Sequence, residues 1–202
     1  MAPRSAEQFE SMREHSRALI VEAALTLFAR HGYEGASIRM IAREADVSLG
    51  LLYNYFGGKD ELLLAIMHRG LADVGESFAA ALEAGDGARR GDPIERLFRS
   101  AMEILRRNRR FWLLFYSIRT QPAVVEGLAG EIAALGARID EGLRAILSAA
   151  GSAEPAVDAR LLFATIDGIG QQLVLDPEGY PVDAVIDRAV ALFSATTTGG
   201  TR

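Results

Sequence analysis

The 202-residue chain has no cysteine, which excludes disulfides, zinc–thiolate sites and cysteine nucleophiles. It has no apolar run near the ~20 residues that a membrane-spanning helix needs. Met1–Ser5 does not open onto the apolar stretch of a secretory signal, so a soluble cytoplasmic protein with no membrane partner is expected. Histidine is scarce: His15, His31 and His68 are the only ones, and no His/Asp/Glu spacing suggests a metal site. Strand alternation, internal repeats, a phosphate loop and a nucleophile elbow are all missing. The Asp167-Gly168-Ile169-Gly170 run lacks the preceding strand of a phosphate loop and reads as helix packing. Neither a catalytic set nor a cofactor is expected.

An excess of positive charge is also absent. The formal net charge is −5, and residues 1–60 carry seven Lys/Arg against eight Asp/Glu. Any affinity for nucleic acid must come from where the cations sit rather than from bulk charge.

What the chain does have is helical periodicity almost throughout, and the fold class is all-α. Residues 1–12 read as a loose arm. Leu19, Ile20, Ala23, Ala24, Leu27 and Phe28 form one apolar stripe of a helix over Ser16–Arg30. His31-Gly32 is expected to end it, with Gly32 at a left-handed position. Ser37 is an N-cap for a short helix carrying Ile38, Ile41, Ala42 and Ala45 inward. Asp46-Val47-Ser48 is a tight turn, and Ser48 caps a third helix that stops near Phe56-Gly57-Gly58.

A fourth helix is expected over Lys59–Ala84, then a Gly-rich loop over Gly85–Gly91. Asp92-Pro93 restarts the helical pattern with a capping carboxylate and a first-turn proline. Gln121-Pro122 interrupts it. Further helices are expected over Val124–Ala149, Pro155–Leu175 and Pro181–Ala195, and the tail Thr196–Arg202 is expected to be disordered.

Two short helices across a tight turn make a helix-turn-helix in Ser37–Phe56. Ala42 supplies the small residue at the crossing, and Asp46 is among the few non-glycine residues that tolerate positive φ. Val47, Leu52, Tyr55 and Phe56 have the spacing to pin the third helix. Ser48, Leu49, Gly50, Tyr53 and Asn54 are left on its outer face, small enough to enter a ~12 Å major groove. Gly50 inside a helix costs about 0.5–1 kcal/mol against alanine, which a close backbone approach to DNA would justify.

The stretch ALTLFARHGYEGASIRMIAREADVSLGLLYNYFGGKDELL resembles the N-terminal domain of TetR-type (TetR/AcrR) transcriptional regulators, over Arg13 to Val74. The likeness rests on the LFxxxGY step, the Ser-x-Arg-x-Ile-Ala start, the Val-Ser-x-Gly-x-Leu-Tyr-x-x-Phe helix and the Lys-Asp-Glu-Leu restart. Asp46 stands where a turn glycine is usual, and Leu49 where a polar or basic residue is frequent. The resemblance implies a three-helix helix-turn-helix domain over 13–74 and a C-terminal helical bundle over 75–202 for ligand binding and dimerisation. It implies double-stranded operator DNA as a partner, with Ser37 and Arg39 meeting it from the second helix. Ser48, Leu49, Gly50 and Asn54 would face bases or backbone. Tyr53 and Tyr55 would donate to phosphates, Lys59 would hold one, and Arg13 or Arg17 would flank.

Beyond residue 75, the tract Phe111–Arg119 is too aromatic for a thin bundle with no ligand. Phe98, Met102, Phe111, Trp112, Phe115, Leu143 and Phe163 are candidates to line a small-molecule pocket, with Tyr116, Arg119 and Gln171 as polar anchors. The run Arg106–Arg110 reads as a solvated helix end complementing the helix dipole. Leu161, Ala164, Gly168 and Leu175, with Val182, Val185, Ile186, Ala189, Val190 and Phe193, give the last two helices apolar faces. Such faces suit a four-helix homodimer interface, as the resemblance also implies. The expected function is a DNA-binding transcriptional regulator, a repressor released by a small-molecule effector. An activator, or a helical ligand-binding protein with weak or lost DNA binding, is the alternative.

Overall fold

The computed structural model describes residues 6–83, 92–119, 121 and 126–198. Among the described residues there are nine helices and no strand: α1 (Ala6–Gly35), α2 (Ile38–Glu44), α3 (Leu49–Tyr55), α4 (Lys59–Glu83), α5 (Pro93–Arg107), α6 (Arg109–Ile118), α7 (Ala129–Ala149), α8 (Pro155–Leu175) and α9 (Val182–Thr198). The expected Gly85–Gly91 loop and residues 199–202 of the tail lie outside the described residues.

Several boundaries differ from the sequence reading. The expected arm is helical from Ala6. Ala, Glu, Gln and Met are good helix formers there, although an apolar stripe is missing. Gly32 does take a positive φ, but its φ/ψ of 73°/165° kinks α1 rather than ending it, and helical bonding resumes to Gly35. Leu128 is a turn, so α7 starts at Ala129 rather than at 124, and residues 122–125 lie outside the described residues. Pro155 takes the first turn of α8 as expected, whereas Pro181 stands just before α9. α9 reaches Thr198, into the expected disordered tail.

The chain divides into two compact units. The first comprises residues 1–70 and 113–128, and the second residues 71–112 and 129–202. In the first, Ile20, Ala24 and Phe28 of α1 are buried together with Ile41 of α2, Leu52 of α3 and Leu62 and Ile66 of α4. Leu114, Ile118 and Leu128 are buried too. Gly127 lies so close to α4 that a Cβ there would be 2.9 Å from Leu64 Cδ2.

In the second unit, α8 packs against α5, α7 and α9, and α5 packs against α9. Asp92 caps α5 by accepting the Ile94 N–H at 2.8 Å. Its other carboxylate oxygen accepts the Ser194 hydroxyl of α9 at 2.6 Å. Arg99 of α5 reaches Asp183 and Asp187 of α9 at 3.2 and 3.1 Å. Beside these polar ties, the Phe98 and Phe193 rings meet with centroids 6.2 Å apart.

Candidate nucleic-acid interface

The helix-turn-helix is built by short-range bonds. Ser37 Oγ accepts the Met40 N–H at 3.3 Å at the start of α2, and Ser48 Oγ accepts the Leu51 N–H at 3.1 Å at the start of α3. Each cap satisfies one of the orphan donors of a helix N-terminus. Between them Asp46 sits at φ 53°, the only non-glycine positive φ among the described residues. The Val47 N–H then returns to the Ala42 carbonyl at 2.9 Å, closing the turn.

α3 has one inner and one outer face. Leu52 and Phe56 are sealed inside, and the Arg17 guanidinium lies 5.1 Å above the Phe56 ring. Ser37 and Arg39 are exposed beside α2, and Ser48, Gly50 and Asn54 are exposed on or beside α3. Leu49 is 36% and Tyr53 52% exposed on this outer face. A Cβ built on Gly50 would meet nothing within 4 Å, so no packing within the chain calls for a glycine there. Tyr55 is half-buried and serves both the packing and the surface readings. Arg13 and Arg17 are exposed on α1.

Lys59 is placed differently from the sequence reading. Its ammonium donates to the Tyr33 carbonyl at 2.8 Å, lies 4.4 Å above the Tyr33 ring and is 3.8 Å from the Glu34 carboxylate. It is a committed, mostly covered cation rather than a free one. Tyr33, which sequence reasoning did not single out, also donates its hydroxyl to Asp60. Burial first, then that bond and the nearby Asp60 and Glu34 charges, raise the Tyr33 phenol above its ordinary pKa. The Gly-Tyr step in the sequence marks the position, but a contact 26 residues away is not visible there.

In the second unit the pocket candidates Phe98, Met102 and Phe111 are buried core residues, Trp112 and Gln171 are half-buried, and Phe163 is exposed. Phe115, Tyr116 and Arg119 fall in the first unit, with the Arg119 guanidinium 4.9 Å above the Tyr116 ring. Of the pocket candidates, Leu143 and Phe163 share a cleft of about 220 Å³ with Gly136, Ile139, Asp140, Ala159 and Arg160. In the run Arg106–Arg110, Arg109 is no solvated end: its Nε donates to the Val174 carbonyl at 3.0 Å, at the end of α8.

The two expected dimer helices also separate. On α8, Leu161 and Leu175 are 57% and 59% exposed, and Ala164 and Gly168 are exposed with them. On α9, Val182, Ile186, Ala189 and Phe193 are buried within the chain, because that stripe faces inward and Phe193 meets Phe98 of α5. They form core rather than an outer face. Val185 and Val190 are half-buried, and Leu192 is a large apolar residue exposed on α9. Val157 of α8 and Leu192 of α9 are exposed as well. Val157 lies one helical turn before Leu161, a spacing the sequence offered.

A capped helix-turn-helix with an outward-facing third helix, joined to a second helical unit, defines a helix-turn-helix transcription regulator. Residues 20–66 match the family described as bacterial regulatory proteins, tetR family, and residues 88–195 match the tetracyclin repressor-like C-terminal domain. The chain belongs to the TetR family of bacterial regulators. It is 43% identical over 61 residues to the HTH-type transcriptional repressor SCO4008 of Streptomyces coelicolor, covering 30% of this chain and 32% of that one. The chain spans half or less of the length of the curated relatives it matches. A transcriptional regulator from Rhodococcus sp. Rha1 shares the fold at TM-score 0.69 and 26% identity, over 91% of this chain and 96% of that one. AibR, solved with isovaleryl coenzyme A and operator DNA, has the same fold at TM-score 0.66 and 20% identity, over 89% of this chain and 98% of that one. No helix among the described residues is long and apolar enough to cross a membrane.

Proposed function

We propose that the chain is a cytoplasmic, homodimeric repressor that reads operator DNA with α3 and leaves it when a small molecule binds its second helical unit. The observation that carries this reading is the split character of α3. Its inner residues Leu52 and Phe56 are fully buried, while Tyr53, Leu49, Gly50 and Asn54 are exposed, and a Cβ on Gly50 would meet nothing of this chain within 4 Å. Such a rod, presented twice by a two-fold pair, fits successive major grooves roughly 34–36 Å apart. Ser37, Arg39, Ser48 and Tyr53 supply phosphate and base-edge donors, and Leu49 supplies an apolar surface for a thymine methyl.

Val157, Leu161 and Leu175 support the pairing. An apolar helix face of this kind is what an isologous interface covers, and a second copy is the occupant this reading assigns to it. SCO4008 is a repressor, and AibR carries both operator DNA and isovaleryl coenzyme A on the same fold. The effector acts by binding one spacing of the reading heads better than another, a coupling of about 1–3 kcal/mol in typical cases.

The test is enrichment of short duplexes from a random library by the purified chain, followed by titration of the winners. A two-fold symmetric site whose affinity falls steeply with salt supports the reading. Failure to enrich any sequence, or binding indifferent to salt, overturns it.

A further inference from the structure

We propose that the cleft between α7 and α8 is the effector site and that it takes a short apolar carboxylate; its role as effector site rests on the repressor reading above. The cleft, of about 220 Å³, lies within the second unit. Its floor is apolar and sealed: Ile139 and Leu143 of α7 and Ala159 of α8 are buried. Phe163 lines it while 46% exposed, so part of that side chain is left for a ligand to cover.

Two charged side chains line the same cleft, and they are not equivalent. Asp140 is already neutralised by Arg144, whose Nη2 lies 2.7 Å from its carboxylate. Arg160 is exposed, and among the described residues no hydrogen bond or ion pair engages it. The uncompensated charge at the cleft is therefore positive. An apolar floor beside one available guanidinium matches a molecule with an apolar body and a carboxylate, which arginine can hold by two parallel hydrogen bonds. The cleft is smaller than the roughly 300–1,000 Å³ of sites for drug-sized ligands, so that body is a single ring or a short branched chain.

Gly136 keeps the cleft open. It stands inside α7, where glycine costs helix stability against alanine, and a Cβ on it would meet nothing within 4 Å. Packing within the chain gives no reason for the missing side chain, whereas a molecule entering the cleft does. The second copy assigned to Val157, Leu161 and Leu175 approaches α8 from another side. At about 3.6 residues per turn, positions 159, 160 and 163 lie about a third of a turn around α8 from that stripe.

The experiment follows the Ile139 and Leu143 methyl resonances of the full chain by NMR during titration with phenylacetate, phenylacetamide and phenethylamine. These share one apolar body and carry negative, zero and positive charge. Phenylacetate is expected to shift both methyls saturably and to bind more tightly than the other two. Arg160→Gln should weaken it about fivefold, as for an exposed ion pair, and Gly136→Leu should abolish the shifts, with helicity by circular dichroism unchanged in both. No shift with any of the three, an amide or amine that binds as tightly as the carboxylate, or shifts confined to residues outside the cleft would each overturn the proposal. An Arg160→Gln affinity equal to wild type would overturn it too, and this variant decides the matter if Gly136→Leu does not fold. A Gly136→Leu chain that turns monomeric in sedimentation would place a second copy in the cleft and overturn it as well. On a duplex enriched from a random library by the wild type, saturating phenylacetate should weaken binding several-fold for wild type and not for Gly136→Leu. A saturated cleft with unmoved duplex affinity overturns the effector role. Failure of the wild type to enrich any duplex overturns the repressor reading, while the methyl titration still decides the site.

Discussion

Ser48 Oγ accepts the Leu51 backbone N–H at 3.1 Å, so the helix assigned to DNA reading is capped by a residue on its own exposed side. Cap and contact can be separated by substitution. Ser48→Ala removes the cap and is expected to cost about 1 kcal/mol in urea unfolding. Ser48→Asp keeps a capping oxygen but places a negative charge toward DNA. It should match wild type in urea and fail to bind duplex. Retained DNA binding in Ser48→Asp would remove Ser48 from the reading face.

Gly50 predicts effects of opposite sign. Nothing lies within 4 Å of a Cβ at that position, so Gly50→Ala should stabilise the fold by about 0.5–1 kcal/mol through helix propensity. The same methyl should weaken DNA binding, because it fills the space reserved for the groove. Thermal melts and duplex titrations on one preparation check both signs. Unchanged affinity would mean the duplex does not approach Gly50.

Much of this was legible in sequence because it is local. Ser37, Ser48 and Asp92-Pro93 each act within three residues, so their capping roles follow from residue type and place. Asp46 was readable for the same reason: few side chains tolerate φ 53°, and a tight turn demanded one that does. What the sequence hid is which partner a face meets. The stripe Val182, Ile186, Ala189 and Phe193 reads as apolar whether it packs on α5 or on a second subunit, and only the fold shows Phe98 against it. Lys59 reads as an exposed cation until Tyr33 is found beneath it. The first turns of α1 were missed because helix propensity without periodicity is a weak signal.

The Tyr33 phenol gives a pH dependence. Its pKa is raised above the ordinary 10.0 by burial first and by the bond to Asp60 next. A raised folded-state value contributes stability that is fully present below the unfolded pKa and is lost as pH rises through the folded one. Wild type should therefore lose more of its urea midpoint than Tyr33→Phe between about pH 8 and about pH 11. Equal losses would show that the phenol is no harder to ionise in the folded chain than in the unfolded one.

The outer face of α8 separates assembly from folding. Leu161→Glu changes a side chain that is 57% exposed, so the folded chain should keep its helicity while sedimentation shows a monomer. Ile186→Ala empties a buried site instead and should cost about 2–5 kcal/mol. A Leu161→Glu dimer as tight as wild type would place the subunit interface elsewhere.

The most direct measurement is duplex titration of Tyr53→Ala beside its unfolding curve. Tyr53 is 52% exposed on the outer side of α3, so removing its ring touches no core. The expected result is loss of specific binding with the unfolding midpoint unchanged. Wild-type affinity and specificity in that variant would contradict the claim that this face of α3 reads DNA.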